Sequence, residues 1–275
     1  MRVALLQMTS GIDPAANAQT ICDAVGEARA GGAQILFTPE MCGMLDRNRK
    51  RAASKIARPE DDTVLAATRE AAAREKIHVA LGSLAIERDD GRWANRSFVI
   101  DPSGTIIATY DKIHMFDVAL ESGENWRESA AYAPGETVVT TNVVGLGRLG
   151  LSICYDLRFP ALFEELGNRA CDAIAIPAAF TRPTGEAHWH VLLRARAIEA
   201  SAFVIAAAQV GKHADGRETY GHSLVIDPWG EVLLDMGGEK VGLGFADLDM
   251  SAVSRVRQQL PSLANRREIS KSGSA

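Results

Sequence analysis

No two of the four cysteines in this 275-residue chain, Cys22, Cys42, Cys154 and Cys171, stand in a CxxC spacing. Zinc-ribbon and thioredoxin-like readings therefore have no footing, and the six histidines show no metal-ligand spacing either. No stretch approaches the ~20 apolar residues that span a bilayer. The apolar run after Met1 is too short for a secretory signal, since Gln7 interrupts it at once. Basic excess is missing as well. Lys and Arg number 30 against 35 Asp and Glu, a formal net charge of −5, and a phosphate-binding surface carries the opposite sign. The short run from Arg47 to Arg51 reads as a solvated face. These absences argue against nucleic acid, a membrane, a metal or another cofactor as partner, and they fit a reducing cytoplasm with free thiols.

The chain does have material for a core. Hydrophobic residues make up 47%, enough to bury a sizeable interior at this length. No linker-like stretch interrupts it, so residues 1–265 read as one domain and 266–275 as a polar tail. Short aliphatic runs alternate with Ala-rich amphipathic segments. Strands are expected at Val3–Gln7, Gln34–Phe37, Leu149–Cys154, Asp172–Ile176, Phe203–Ala208 and Val241–Leu248. Helices are expected from Asp13-Pro14 toward Gly31, near Asp62–Lys76, from Pro160 to about Gly167, and over Glu186–Ser201. Asp13 supplies an N-cap and Pro14 a first helical residue. Two segments echo one another, since Asp101-Pro102-Ser103-Gly104 and Asp227-Pro228-Trp229-Gly230 each join two aliphatic runs. Proline presets such a turn and glycine supplies its positive φ. Hairpins mixed with strand–helix units imply an α/β fold, with a pseudo-symmetric pair of mixed sheets and helices outside.

One motif misleads. Gly145-Leu146-Gly147-Arg148-Leu149-Gly150 spells GxGxxG, but a dinucleotide fingerprint must open a helix. Here another apolar strand follows, so a turn is expected.

Cys154 follows an apolar strand and precedes the polar turn Tyr155-Asp156-Leu157-Arg158. Such a turn lifts a side chain out at a sheet edge, as the nucleophile elbow does; a small buried thiol is the alternative. Cys22 and Cys171 read as packing residues. Glu40 lies beyond Ile35-Leu36-Phe37, where burial would raise its pKa and suit it to act as a base. Lys112 follows the run Ile106–Tyr110. Each of the three has a solvated-surface alternative, yet all stand where a strand ends. A thiol is mostly un-ionised near neutral pH, so a base must take its proton during attack. A fixed ammonium and a backbone N–H would then stabilise the tetrahedral oxyanion.

Those neighbourhoods, Phe37-Thr38-Pro39-Glu40-Met41, Tyr110-Asp111-Lys112-Ile113-His114 and Leu151-Ser152-Ile153-Cys154-Tyr155, resemble the Glu, Lys and Cys motifs of the nitrilase superfamily. Two later stretches, His188-Trp189-His190 onward and Tyr220-Gly221-His222-Ser223, are similar to its Nit branch. The resemblance implies a four-layer α-β-β-α sandwich, a homodimer, and hydrolysis of a small carboxylate-bearing amide through a thioester. It implies deaminated glutathione as the specific substrate, with Gln209-Val210-Gly211-Lys212-His213 favouring that choice over the ω-amidase substrate α-ketoglutaramate. It also implies a second glutamate, matched by Glu128 with Glu121 and Glu124 as rivals. Tyr155, Arg158, Phe180 and Thr184 are the expected substrate contacts; for Arg158 an ion pair with Asp156 or Glu165 is the alternative. Glu199 reads as structural, paired with an arginine, and His188 and Trp189 as packing residues. Arg182 and Glu186 depart from the branch pattern in a segment expected to border the pocket. Competing functions are an ω-amidase, an N-carbamoyl-amine amidohydrolase, and an inactive binding scaffold.

Overall fold

The computed structural model describes residues 1–119 and 125–267. Glu121, Glu124 and the polar tail beyond 267 lie outside the described residues.

Alternation builds the interior. Along the strand Arg2–Gln7, Val3 and Leu5 enter one apolar cluster while Ala4 and Leu6 enter another. A strand buried on both faces belongs at the centre of a layered fold. Its sheet runs, in spatial order, Gly242–Asp247, Arg2–Gln7, Ile35–Phe37, His78–Glu87, Trp93–Ile100 and Ile106–Asp111. The second sheet runs Val232–Asp235, Leu224–Ile226, Phe203–Ala206, Ala173–Ala175, Gly147–Leu151 and Thr140–Val143. In each, three adjacent strands are parallel and the flanking ones antiparallel. The expected pseudo-symmetry is therefore real.

Helices Pro14–Ala30 and Thr63–Glu75 cover the outer face of the first sheet, where Ile21, Val25, Val64 and Leu65 are buried. Helices Pro160–Asn168 and Arg182–Ala200 cover the second, through Phe163, Leu166, Trp189 and Leu193. The result is the four-layer α-β-β-α sandwich. Local signals agree with it. The Asp13 carboxylate accepts the Ala15 N–H at 3.1 Å, and Asp62 accepts the Leu65 N–H at 2.8 Å. Both Asp-Pro-x-Gly segments are hairpin turns, and the GxGxxG segment begins in the turn after Thr140–Val143 and continues into the strand Gly147–Leu151.

Several boundaries differ from expectation. The strand before Cys154 stops at Leu151, and Cys154–Arg158 forms a 3₁₀ turn. The helix expected from Glu186 begins at Arg182 with Pro183 in its first turn, because proline is favourable there rather than disruptive. The basic run forms a short helix, Arg49–Ala53, capped by Asn48. Strand His78–Glu87 and helix Ser251–Gln259 carried no signal that was read. Among the described residues, no helix is long and apolar enough to cross a membrane.

Candidate active site

Glu40, Lys112 and Cys154 meet where the two sheets face each other. Each follows a strand: Ile35–Phe37 and Ile106–Asp111 in the first sheet, Gly147–Leu151 in the second. All three line one cavity of about 340 Å³.

The loop bearing Glu40 is held tightly. Gly82 donates its N–H to the Thr38 hydroxyl at 2.9 Å, and Ser83 accepts the Met41 N–H at 2.9 Å. A Cβ at Gly82 would stand 2.1 Å from the Thr38 carbonyl oxygen, so only glycine permits this approach. From behind, the Gln209 amide donates to the Glu40 carbonyl at 2.9 Å and to the Ser10 hydroxyl at 2.6 Å. His213 contacts the Ser10 carbonyl and the Thr219 hydroxyl. The Gln-x-Gly-Lys-His segment thus supports the loop of Glu40 and does not line the cavity.

Both carboxylate oxygens of Glu40 are engaged. Oε1 accepts from Lys112 Nζ at 2.9 Å and from Asn95 Nδ2 at 2.8 Å, while Oε2 accepts the Ala179 N–H at 2.9 Å. Lys112, only 2% exposed, also donates to both oxygens of Glu128, at 3.2 and 2.9 Å. Glu128 is fixed in turn by the Phe116 N–H at 2.7 Å and by Asn95 at 3.1 Å. Glu128 is therefore the second glutamate that reaches the lysine.

Cys154 has φ 48°, the left-handed region, which costs a non-glycine residue roughly 1–2 kcal/mol. Its N–H donates to the Pro177 carbonyl at 2.9 Å. Asp156, wholly buried, accepts from the Ile153 N–H at 2.9 Å, from the Tyr110 hydroxyl at 2.7 Å and from the His114 N–H at 3.0 Å. One carboxylate thus ties the turn of Cys154 to the segment carrying Lys112.

The electrostatics follow from these contacts. Burial pushes the Cys154 thiol well above its ordinary range, the Glu40 carboxylate adds to that, and Lys112 opposes it. Burial would raise Glu40 too, but the Lys112 charge and the hydrogen bonds outweigh it and hold the carboxyl below its ordinary value. This corrects the expectation of a raised Glu40 pKa. Burial acts against the Lys112 ammonium, yet Glu128 and Glu40 together hold its pKa well above the usual lysine range. The site therefore rests as thiol, carboxylate and ammonium. Cys42 and Cys171 have no Glu–Lys pair beside them, and burial, the largest influence, pushes their thiols up to about 11 and about 12.

Tyr155, Phe180 and Thr184 line the cavity as expected. Arg158 does not. Its guanidinium lies over the outer side of the Phe180 ring, 5.2 Å from the centroid, and near His188. Neither alternative partner holds it, because Asp156 is taken by Tyr110 and His114, and Glu165 pairs with Arg169. The 3₁₀ turn sets the phase that carries Arg158 away from the thiol. Arg182 is likewise outside the cavity, paired with Glu186 at 3.1 Å and Glu218 at 2.8 Å on the surface. Glu199 pairs with Arg196 at 2.8 Å, as read. Asn95 was not singled out in the sequence, and Asp156 and Gln209 were named there without the contacts they make, which no local signal marks.

The far wall of the cavity is cationic. Arg47, Arg49, Arg127 and Arg217 line it together with Trp126. The indole lies between two guanidiniums, with Arg217 4.4 Å and Arg47 5.3 Å from the Trp126 centroid. Asp215 holds both arginines, accepting the Arg47 N–H at 2.9 Å and pairing with Arg217 at 3.5 Å. The basic run is exposed, as read, and two of its members, Arg47 and Arg49, also border the cavity.

Comparison with known proteins places this geometry among relatives. Residues 2–258 match the carbon-nitrogen hydrolase family. The deaminated glutathione amidase of Synechocystis is 38% identical over 96% of this chain and 97% of its own length. The Drosophila melanogaster nitrilase and fragile histidine triad fusion protein is 37% identical, and the chain spans 57% of its length. The crystal structure of the C. elegans NitFhit protein superposes with a TM-score of 0.89 at 34% identity, over 97% of this chain and 65% of that one. A variant of the amidase from Nesterenkonia sp. AN1 carries an acetamide moiety covalently on its active-site cysteine. It matches with a TM-score of 0.82 at 27% identity, over 97% of this chain and 94% of its own.

Proposed function

Because the chain belongs to the carbon-nitrogen hydrolase family and is a hydrolase of carbon–nitrogen bonds, an amidase of the nitrilase superfamily, we propose that Cys154 is its nucleophile, Glu40 its base and Lys112 its cation. The observation that carries this reading is the single buried cluster in which Lys112 bridges Glu40 and Glu128 beside the Cys154 thiol.

The chemistry runs as follows. Cys154 Sγ attacks the amide carbon while Glu40 takes the thiol proton. The thiol is held up and the carboxylate held down, so proton transfer accompanies carbon–sulfur bond formation and does not precede it. The new oxyanion is stabilised by the Lys112 ammonium and by the Tyr155 N–H at the start of the 3₁₀ turn. Protonated Glu40 gives its proton to the departing amine, leaving a thioester. Water, deprotonated by Glu40, attacks the thioester, and the thiol leaves with the acid released. Glu128 positions Lys112 and touches no reacting atom.

Glu40→Gln keeps the hydrogen-bonding shape and removes the base, so kcat should fall about 10²–10⁴-fold. The sign of the pH dependence follows from the direction of the shift. With Glu40 held below its ordinary 4.5, the base is ionised at every higher pH. The acid limb of kcat/KM should then lie below pH 4.5, and a limb centred near neutrality would overturn the assignment.

For the substrate we propose an amide with a carboxylate remote from the scissile bond, specifically deaminated glutathione, cleaved to α-ketoglutarate and cysteinylglycine. Relatives of that name at 35–38% identity support it, as do the arginines that line the same cavity as the nucleophile. Substrate panels separate the alternatives. Deaminated glutathione releases α-ketoglutarate without ammonia, whereas α-ketoglutaramate and carbamoyl amines release ammonia. Fastest α-ketoglutarate formation from deaminated glutathione is expected, and faster ammonia release from another member would sink this choice. Arg217→Ala should raise KM about 10–100-fold with a smaller change in kcat, the loss of a charge-assisted contact. A homodimer belongs to the same proposal, supported by exposed Val191, Ile198, Trp229 and Leu233 on the second helical layer and its adjacent hairpin.

A further inference from the structure

On the side of the helix Arg182–Ala200 that meets the hairpin of Leu224–Ile226 and Val232–Asp235, two imidazoles converge on one carboxylate. His190 Nε2 lies 3.0 Å from Asp235 Oδ2, and His222 Nδ1 lies 2.9 and 3.1 Å from the two Asp235 oxygens. One donor atom from each of the three residues falls within 4.8 Å of the others. The three come from a helix, a loop and a strand end, so no linear spacing announces them.

Each group is held by contacts that do not depend on the other two. The His222 backbone donates to the Gly237 carbonyl at 2.9 Å and accepts the Trp189 indole N–H at 2.8 Å. Its backbone is in the left-handed region, φ 53°, and its ring stacks on Tyr220 at 4.4 Å. The Asp235 carboxylate is oriented by the Gly237 N–H at 2.9 Å. His190 projects from the third turn of its helix, meets the Tyr220 ring edge-on at 6.1 Å, and lies 5.0 Å from the His222 ring. The side chains are 24–35% exposed, partly buried but open to water. His222 also lines a shallow cleft with Met236, Gly237 and Gly238, and a Cβ at Gly238 would stand 3.1 Å from its Nε2.

Tetrahedral ligands about 2.0–2.1 Å from a zinc ion stand roughly 3.3 Å from one another. The nitrogen–oxygen separations here need to open by only a few tenths of an ångström to reach that spacing. Two neutral imidazoles and one carboxylate form a borderline nitrogen–oxygen donor set, which suits zinc better than calcium or magnesium. We propose that His190, His222 and Asp235 form a divalent-metal site for a zinc-like ion, with water completing the coordination from the cleft. The site is separate from the cavity holding Cys154. An ion there would staple the helix to the hairpin, and the first turn of the same helix carries Thr184 to the catalytic cavity.

The test uses the full chain stripped with a chelator, titrated with zinc by calorimetry and with Co(II) by visible absorption. Cys154→Ala is run in parallel, so that any thiol contribution is seen directly. One saturable equivalent is expected in both proteins, with a rise of several degrees in Tm on adding zinc. His190→Ala and Asp235→Asn should each weaken binding at least about tenfold and abolish the Tm shift; asparagine keeps an acceptor for the Gly237 N–H, and circular dichroism checks that both variants fold. Absence of saturable binding overturns the proposal. So does an equivalent that survives in His190→Ala, or one lost in Cys154→Ala.

Discussion

Replacing Cys154 by alanine should leave a folded chain whose amide turnover falls by about 10⁴-fold or more, the scale seen when a nucleophile is deleted. Cys154 borders the cavity as well as the core, and the change removes a single sulfur atom. Alanine tolerates the left-handed φ no worse than cysteine does, so Tm should move little. Product formation and thermal unfolding measured on one preparation separate lost chemistry from lost structure. A variant retaining a tenth of the activity would remove the thiol from the mechanism. Small haloacetamides give a second reading. Mass spectrometry should find the adduct at Cys154 and none at the buried Cys42 or Cys171, neither of which has a carboxylate hydrogen-bonded to its thiol as Cys154 has Glu40.

Lys112→Met should be the more damaging change to the fold. The ammonium bridges two buried carboxylates, and its removal leaves Glu40 and Glu128 sharing Asn95 with no cation between them. Breaking a buried ion pair from one side costs about 3–5 kcal/mol, and losing an oxyanion donor costs about 10²–10³ in kcat. The pH dependence should reverse as well. With lysine present, Glu40 is depressed in the folded state, so its contribution is present above pH 4.5 and is lost as pH falls through the folded value. Without lysine, two facing carboxylates raise one another. Stability is then present below the unfolded value and is lost as pH rises through the folded one. Chemical denaturation at pH 5 and pH 8 checks this, since the variant should gain at the lower pH relative to the parent. Equal loss at both would mean that the carboxylates find another partner.

What could be read from the sequence divides by range. Asp13, Asp62 and the two Asp-Pro-x-Gly turns act within four residues, so their roles were visible in the string. Glu40, Lys112 and Cys154 were visible because each follows an apolar run, and the family resemblance brought Glu128 to them. Asn95, Asp156 and Gln209 act across 55, 46 and 169 residues, and nothing local marks such a bond. The direction of the Glu40 shift was misjudged for the same reason. An apolar neighbourhood in sequence signals desolvation, whereas the ammonium that outweighs it arrives from 72 residues away. Arg158 was misplaced because the sequence marks a polar turn after Cys154 but not its pitch, and the 3₁₀ turn brings the guanidinium to Phe180 and His188. The cluster at Asp235 was invisible to any search by spacing, since its two histidines stand 45 and 13 positions away.

Glu40 and Lys112 belong to one sheet, while Cys154 and the Ala179 N–H that steadies Glu40 belong to the other. The reactive ensemble therefore exists only across a seam, and it works like a two-key lock. Either half of the chain, folded without its counterpart, carries a cysteine with no base or a Glu40–Lys112 pair with no nucleophile. A nascent or partly opened molecule would then have no activated sulfur to react with stray electrophiles. Amide turnover becomes a stricter gauge of correct assembly than secondary structure, because it vanishes as soon as the two halves part.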